Sequence, residues 1–161
     1  AAAMTRTGVI GLLGTAATIR QGYVDRLEEE FAAAKRLLRH GAPELVAAAE
    51  AKLRGEAVDP AVYARAAQAL RANPEGDRID TVVLACTHFP LIEDELREAF
   101  GPGVSFIDGS DGIARRIVFL TQGQEWRREA PDLALFTRGG IDVDQLGSTL
   151  EAHGLERIAI F

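Results

Sequence analysis

Apolar positions recur along the chain in two alternating patterns. Short, mostly apolar runs at Gly8–Leu13, 79–85 and Val104–Ile107 have the length and β-branched content of buried strands. Between them the apolar residues space out to a helical period. Tyr23, Leu27, Phe31 and Leu38 fall near that spacing, so the pattern alone predicts one helix over about 19–39. Two alanine-rich stretches, 42–54 and 60–72, predict further helices, and Pro60 after Asp59 suits a helix start. Asn73-Pro74-Glu75-Gly76 breaks the chain ahead of the next strand. A helix over 90–100 begins at Pro90 and stops at Gly101-Pro102-Gly103.

The same alternation continues with a helix at Ile113–Leu120 and a polar stretch at 122–132. A strand at Leu133–Thr137, a helix near Val143–His153 and a strand at Arg157–Phe161 follow. Strands separated by helices imply an α/β fold, a mostly parallel sheet covered by helices on both faces. No repeat or low-complexity segment interrupts the pattern.

Composition narrows the class. The 161 residues can bury a core, and 47% hydrophobic with 26% charged residues is ordinary for a globular domain. A net charge of −6 argues against a general nucleic-acid surface. No apolar run nears the roughly 18 residues that a membrane span requires. One cysteine excludes an internal disulfide framework and fits a reducing compartment, and it leaves no zinc pattern. The arginines far outnumber the two lysines, Lys35 and Lys52, which both read as solvated surface. The glycine groups form neither a dinucleotide fingerprint nor a GxxxxGK[ST] loop.

Chemistry concentrates at Cys86-Thr87-His88, directly after the strand run Thr81–Ala85. That is the C-terminal end of a strand, where open α/β sheets bind ligands. A thiol beside an imidazole can serve as a tunable acid or base. The residues alone leave a second reading open, because free cysteine is also a small core hydrophobe. His88 on its own reads equally as a capping or core histidine, and Phe89 as packing. Thr15 and Thr18 sit after the first strand, where each can cap a helix or donate to a carboxylate, and Thr18 is available as the N-cap. Asp108 reads as a turn former. His40 and His153 are expected near helix or loop ends.

The string Leu84-Ala85-Cys86-Thr87-His88-Phe89-Pro90-Leu91 resembles the second catalytic-cysteine motif of the glutamate racemases, within the aspartate/glutamate racemase superfamily. Gly8–Ile19 with Tyr23 is similar to the strand-and-threonine segment that opens the second lobe of that family. Val104–Asp108 resembles the strand and turn beyond the cysteine. Ala85 and Phe89 depart from the usual glycine and tyrosine, and neither change removes a reacting group. Most of residues 5–120 are covered.

The resemblance carries several expectations. Cys86 would deprotonate L-glutamate, and Thr87, His88, Thr18 and Thr15 would bind substrate, with Thr18 preferred over Thr15 and His88 also managing the Cys86 proton. Glu50 aligns loosely with an acidic residue supporting the family's site, although a solvated helix face is the simpler reading of it. The 19–39 helix would break ahead of a short strand near Arg36–Arg39.

The reaction needs no pyridoxal phosphate, and neither cofactor nor metal is expected. The family uses two cysteines on opposite faces of the substrate, and this chain has one. The resemblance therefore makes it the C-terminal portion of a longer enzyme. Residues 5–110 would form the second lobe, and 111–161 would pack on an N-terminal lobe carrying the other cysteine. It also implies D-glutamate supply for peptidoglycan, hence cell-wall biogenesis and cell shape, in a bacterial cytoplasm. A homodimer is compatible with it, and the partner expected is the small-molecule substrate. A superfamily relative acting on aspartate, hydantoins or maleate, and a non-catalytic binding module, are the other readings.

Overall fold

The computed structural model describes residues 1–127 and 129–161. The first apolar run forms strand β1 (Val9–Gly14), buried along its whole length. Two helices, α1 (Ala16–Ile19) and α2 (Gly22–Phe31), lead to β2 (Arg36–Gly41). The helical spacing of Tyr23, Leu27 and Phe31 is therefore real but ends at Phe31. Leu38 belongs to a strand, as the family resemblance required, and it is buried in the core.

Helices α3 (Pro43–Leu53) and α4 (Ala61–Arg71) follow, then a 3₁₀ turn at Gly76–Arg78 and β3 (Thr81–Ala85). The helix expected over 90–100 is split into a 3₁₀ turn, Phe89–Ile92, and α5 (Glu93–Phe100). Strand β4 (Ser105–Ile107) completes a four-stranded sheet in the order β2-β1-β3-β4, parallel throughout.

One face of this sheet carries the core. Alternation puts Val9, Leu13, Val82 and Leu84 on the same side, against α3, α4, α5 and the 3₁₀ turn of Phe89. Leu45, Leu70, Phe89, Ile92, Leu96 and Phe100 from those elements are fully buried there. Gly11 lies on this face. A Cβ at Gly11 would meet the Leu70 side chain at 3.0 Å and that of Val82 at 3.2 Å, so glycine lets α4 seat closely on β1.

The opposite face is covered by a helix as well, as the expected two-sided arrangement requires. Helix α2 lies over it, bound to β2 through Arg39, which pairs with Asp25 at 2.6 Å and with Glu28. A cavity of about 280 Å³ remains between α2 and the sheet, lined by Ile10, Leu12, Tyr23, Leu27, Leu37 and Val83.

Entry into β1 is fastened by a buried carboxylate. Asp80 accepts from Thr5 Oγ1 at 2.6 Å, from the backbone N–H groups of Arg6 at 2.7 Å and Thr7 at 2.9 Å, and from Thr81 Oγ1 at 3.2 Å. Burial alone would push its carboxyl up, but these bonds outweigh it and hold it well below the ordinary carboxylate range, at about 2.

Beyond β4 the chain continues as α6 (Ser110–Leu120), β5 (Leu133–Phe136), α7 (Ile141–Asp144), α8 (Gly147–Ala152) and β6 (Arg157–Ile160). The single helix expected near 143–153 is thus two short ones. Strands β5 and β6 pair in parallel as a separate two-stranded sheet. In the polar stretch 122–132, residue 128 lies outside the described residues, and the rest contains no helix or strand. No helix of the described residues is long and apolar enough to cross a membrane.

Candidate active site

Strands β1 and β3 end side by side, with Gly14 opposite Ala85. The residues that follow each strand are therefore neighbours across the C-terminal edge of the sheet. On one side lies the Thr15–Thr18 turn, on the other Cys86-Thr87-His88. The parallel register that buries Leu13 against Leu84 is what brings the two expected groups together.

The threonine turn is built around Thr15. Its side chain accepts from the Thr18 N–H at 3.2 Å, and the two hydroxyl oxygens lie 3.0 Å apart. Thr15, with extended backbone, is the N-cap of α1, not Thr18 as expected; Thr18 is in the first turn. Gly41 at the end of β2 faces the backbone of Ala16, whose Cα would stand 3.1 Å from an added Cβ, so α1 sits low over the strand ends.

On the β3 side, Cys86 is half-buried and packs on the rim of the core, while Thr87 is exposed. The Phe89 N–H donates to the Cys86 carbonyl at 3.1 Å, closing the turn, and the buried Phe89 ring anchors it. His88 thereby reaches in two directions. Its Nδ1 lies 3.9 Å from Cys86 Sγ, and its Nε2 lies 2.8 Å from Glu50 Oε1. With Nε2–H donated to the carboxylate, Nδ1 faces the thiol as acceptor.

Glu50 does more than the solvated helix face its sequence position suggests. It stands near the end of α3, which packs on the 3₁₀ turn of Phe89–Ile92. Its carboxylate orients the imidazole instead of facing only solvent. Helical spacing alone offers no signal for this, since Glu50 and His88 are 38 positions apart. The loose family alignment is the one hint. The arrangement is a thiol, an imidazole and a carboxylate in series, through which a proton can pass between the thiol and the ring.

Other candidates fall elsewhere. Asp108 forms a turn by accepting from the Ser110 N–H at 2.7 Å, as expected. His153 caps α8 and contacts the Thr149 carbonyl, whereas His40 stands within β2 and not in a loop or helix end. Lys52 is paired with Glu95 at 2.7 Å. Among the described residues, no three His, Cys, Asp or Glu side chains converge as metal ligands would.

The strand ends of this parallel α/β sheet carry a thiol, an imidazole and a carboxylate in series, and sequence comparison identifies the family. Residues 1–117 match the Asp/Glu/Hydantoin racemase family, and the chain belongs to that family. Its relatives include glutamate racemases. One from Sphingopyxis alaskensis is 63% identical over 139 residues, covering 86% of this chain and 52% of that protein. One from Photorhabdus laumondii is 37% identical over 163 residues, covering 98% and 55%. The Escherichia coli glutamate racemase, solved with L-glutamate and the activator UDP-MurNAc-Ala, superposes with a TM-score of 0.89 at 32% identity, covering 98% of this chain and 59% of that one. The Bacillus anthracis isoform RacE1 shares the fold, with a TM-score of 0.75 at 22% identity. The chain spans about half the length of the relatives it matches.

Proposed function

We propose that this protein interconverts L- and D-glutamate by moving the Cα proton, with Cys86 as the acid–base group on one face of the substrate. The observation that carries the reading is the Cys86–His88–Glu50 series at the strand ends, beside the Thr15–Thr18 turn in register with it. The identity to glutamate racemases over nearly the whole chain supports the choice of substrate.

In this reading His88 Nδ1 takes the Cys86 proton as the thiolate forms, and Glu50 stabilises the resulting imidazolium. The thiolate removes the Cα proton of L-glutamate. A second thiol, from the N-terminal lobe of a longer chain, delivers a proton to the opposite face; the roles reverse for D-glutamate. The hydroxyl and backbone of Thr87 and the hydroxyls of Thr15 and Thr18 hold the substrate's carboxylate and ammonium groups.

Residues 5–110 form one lobe, and 111–161 pack on the other. Both the exposed apolar face of α6 and the apolar residues of β5 and β6 support this division. A supply of D-glutamate for peptidoglycan, in the cytoplasm and with a bearing on cell shape, is the role that fits the relatives. A homodimer is compatible with it. Hydantoin or aspartate chemistry is the second reading, favoured by the breadth of the family matched over residues 1–117.

The test is Cα proton exchange of L- and D-glutamate in heavy water, followed by NMR, using the longest natural form of the protein. Exchange that vanishes in Cys86→Ser supports the thiol mechanism. A folded, full-length protein that exchanges neither enantiomer, or a fully active serine variant, overturns it.

A further inference from the structure

We propose that Arg54 is a positioning residue for the acid–base pair: its guanidinium shares the Glu50 carboxylate with His88 and sets how strongly Glu50 holds the imidazole proton. The catalytic meaning rests on the function proposed above; the coupling itself is a property of the folded chain.

The geometry points to a divided carboxylate. Glu50 Oε1 lies 2.8 Å from His88 Nε2, while Glu50 Oε2 lies 3.5 Å from Arg54 Nη1. Helix α3 produces the second contact, since residues four apart share a helix face and Arg54 caps its C-terminus. Arg54 is in turn divided. Glu56 in the following loop takes its Nε at 2.7 Å and its Nη2 at 3.4 Å. One guanidinium therefore stands between two carboxylates, and only one of these touches the histidine. The Arg54 side chain is 22% exposed, against 42% for Glu50 and 44% for Glu56, so the cation is the most enclosed of the three.

Few other charges among the described residues face this group. Asp142 on α7 raises the Arg54 proton affinity further, after Glu56. Thr149 of α8 donates to the Leu53 carbonyl at 2.7 Å, tying the C-terminal segment to the same turn. Lys52 is directed to Glu95. The β3 side contributes His88 and Cys86. A cation beside Glu50 weakens the carboxylate's hold on a positive imidazole, and a carboxylate beside Arg54 restores part of it. Ion pairs this exposed contribute little to stability, so their consequence is electrostatic.

The experiment is an NMR titration of the histidine rings of the 161-residue chain, with the His88 signal identified by its loss in His88→Gln. Arg54→Gln is expected to move the His88 midpoint up by about half a pH unit. Glu56→Gln frees Arg54 for Glu50 and is expected to move it down, while Arg54→Lys stays near the parent. A structural defect would not produce shifts of opposite sign. Unchanged midpoints, or shifts in one direction only for both glutamine variants, overturn the proposal. If Arg54→Gln fails to fold, the downward shift in Glu56→Gln still decides it. In the longest natural form, the pH profile of kcat/KM for glutamate should move in the same sense. If the parent racemises nothing while His88 shifts as expected, the coupling stands and the functional reading fails.

Discussion

The four-stranded sheet and the C-terminal segment contain similar apolar patterns but differ in what happens to them. In β1 and β3 the apolar residues meet α3, α4 and α5, and Leu13, Val82 and Phe89 are wholly buried. In α6, β5 and β6 they meet little. Val118 is 66% exposed, Leu135 56% and Phe161 89%. Both regions form helices and strands close to those their patterns predict. Periodicity therefore specifies which side of an element is apolar, while burial requires a partner of matching shape. In the sheet region that partner comes from neighbouring segments of the same chain. For the C-terminal segment, the division proposed above assigns it to the part of the longer relatives that this chain does not span.

Five measurements bear on this contrast, the strongest first. The site lies on the rim of the packed region and not within its core. Cys86→Ser should therefore lower racemisation by about a thousandfold or more in the longest natural form, with no loss of cooperative melting. Melting that fell with activity would make Cys86 a packing residue.

Next, Phe89→Ala should destabilise the 161-residue chain by about 3–5 kcal/mol in urea unfolding, because the ring is fully enclosed by the core. A loss below about 1 kcal/mol would mean that this face is as loosely held as the C-terminal segment.

Third comes the buried fastening at Asp80. Its folded pKa is depressed to about 2 from 3.8, so the stabilisation is present above the unfolded value and is lost as pH falls from about 4 to 2. The expected loss is about 2 kcal/mol across that window, read by acid titration of urea midpoints. Asp80→Asn should remove the dependence.

Smallest is Leu135→Ala, expected to cost no more than about 0.5 kcal/mol in the 161-residue chain. Amide exchange should be rapid throughout 133–161 and slow in β1 and β3. Strong protection in 133–161 would abolish the contrast.

Much of the fold is legible in the residue pattern. The strand leading to Cys86, the break at Asn73–Gly76 and the two alanine-rich helices all carry local signals: β-branched runs, proline, glycine and helical period. Element boundaries depart from the pattern where local signals compete. Phe31 and Leu38 fit one helical period, yet Leu38 pairs opposite Gly11 in the sheet, where burial outweighs spacing. Thr15 and Thr18 are equally able to cap α1, and the extended backbone at Thr15 decides between them.

The chemistry available at the strand end is written in consecutive positions: a thiol, a hydroxyl and an imidazole, after an apolar run long enough to be a buried strand. Those are covalent facts and local preferences, independent of distant residues. The meeting of Glu50 with His88, and the neighbouring of the threonine and cysteine turns, are fixed instead by the way the elements pack, and with them the surroundings of the carboxylate that Arg54 shares. Glu50 and His88, like the two turns, are far apart in the chain. They come together because α3 packs on the turn after β3 and because β1 and β3 bury their leucines in one register, and no local pattern encodes either event.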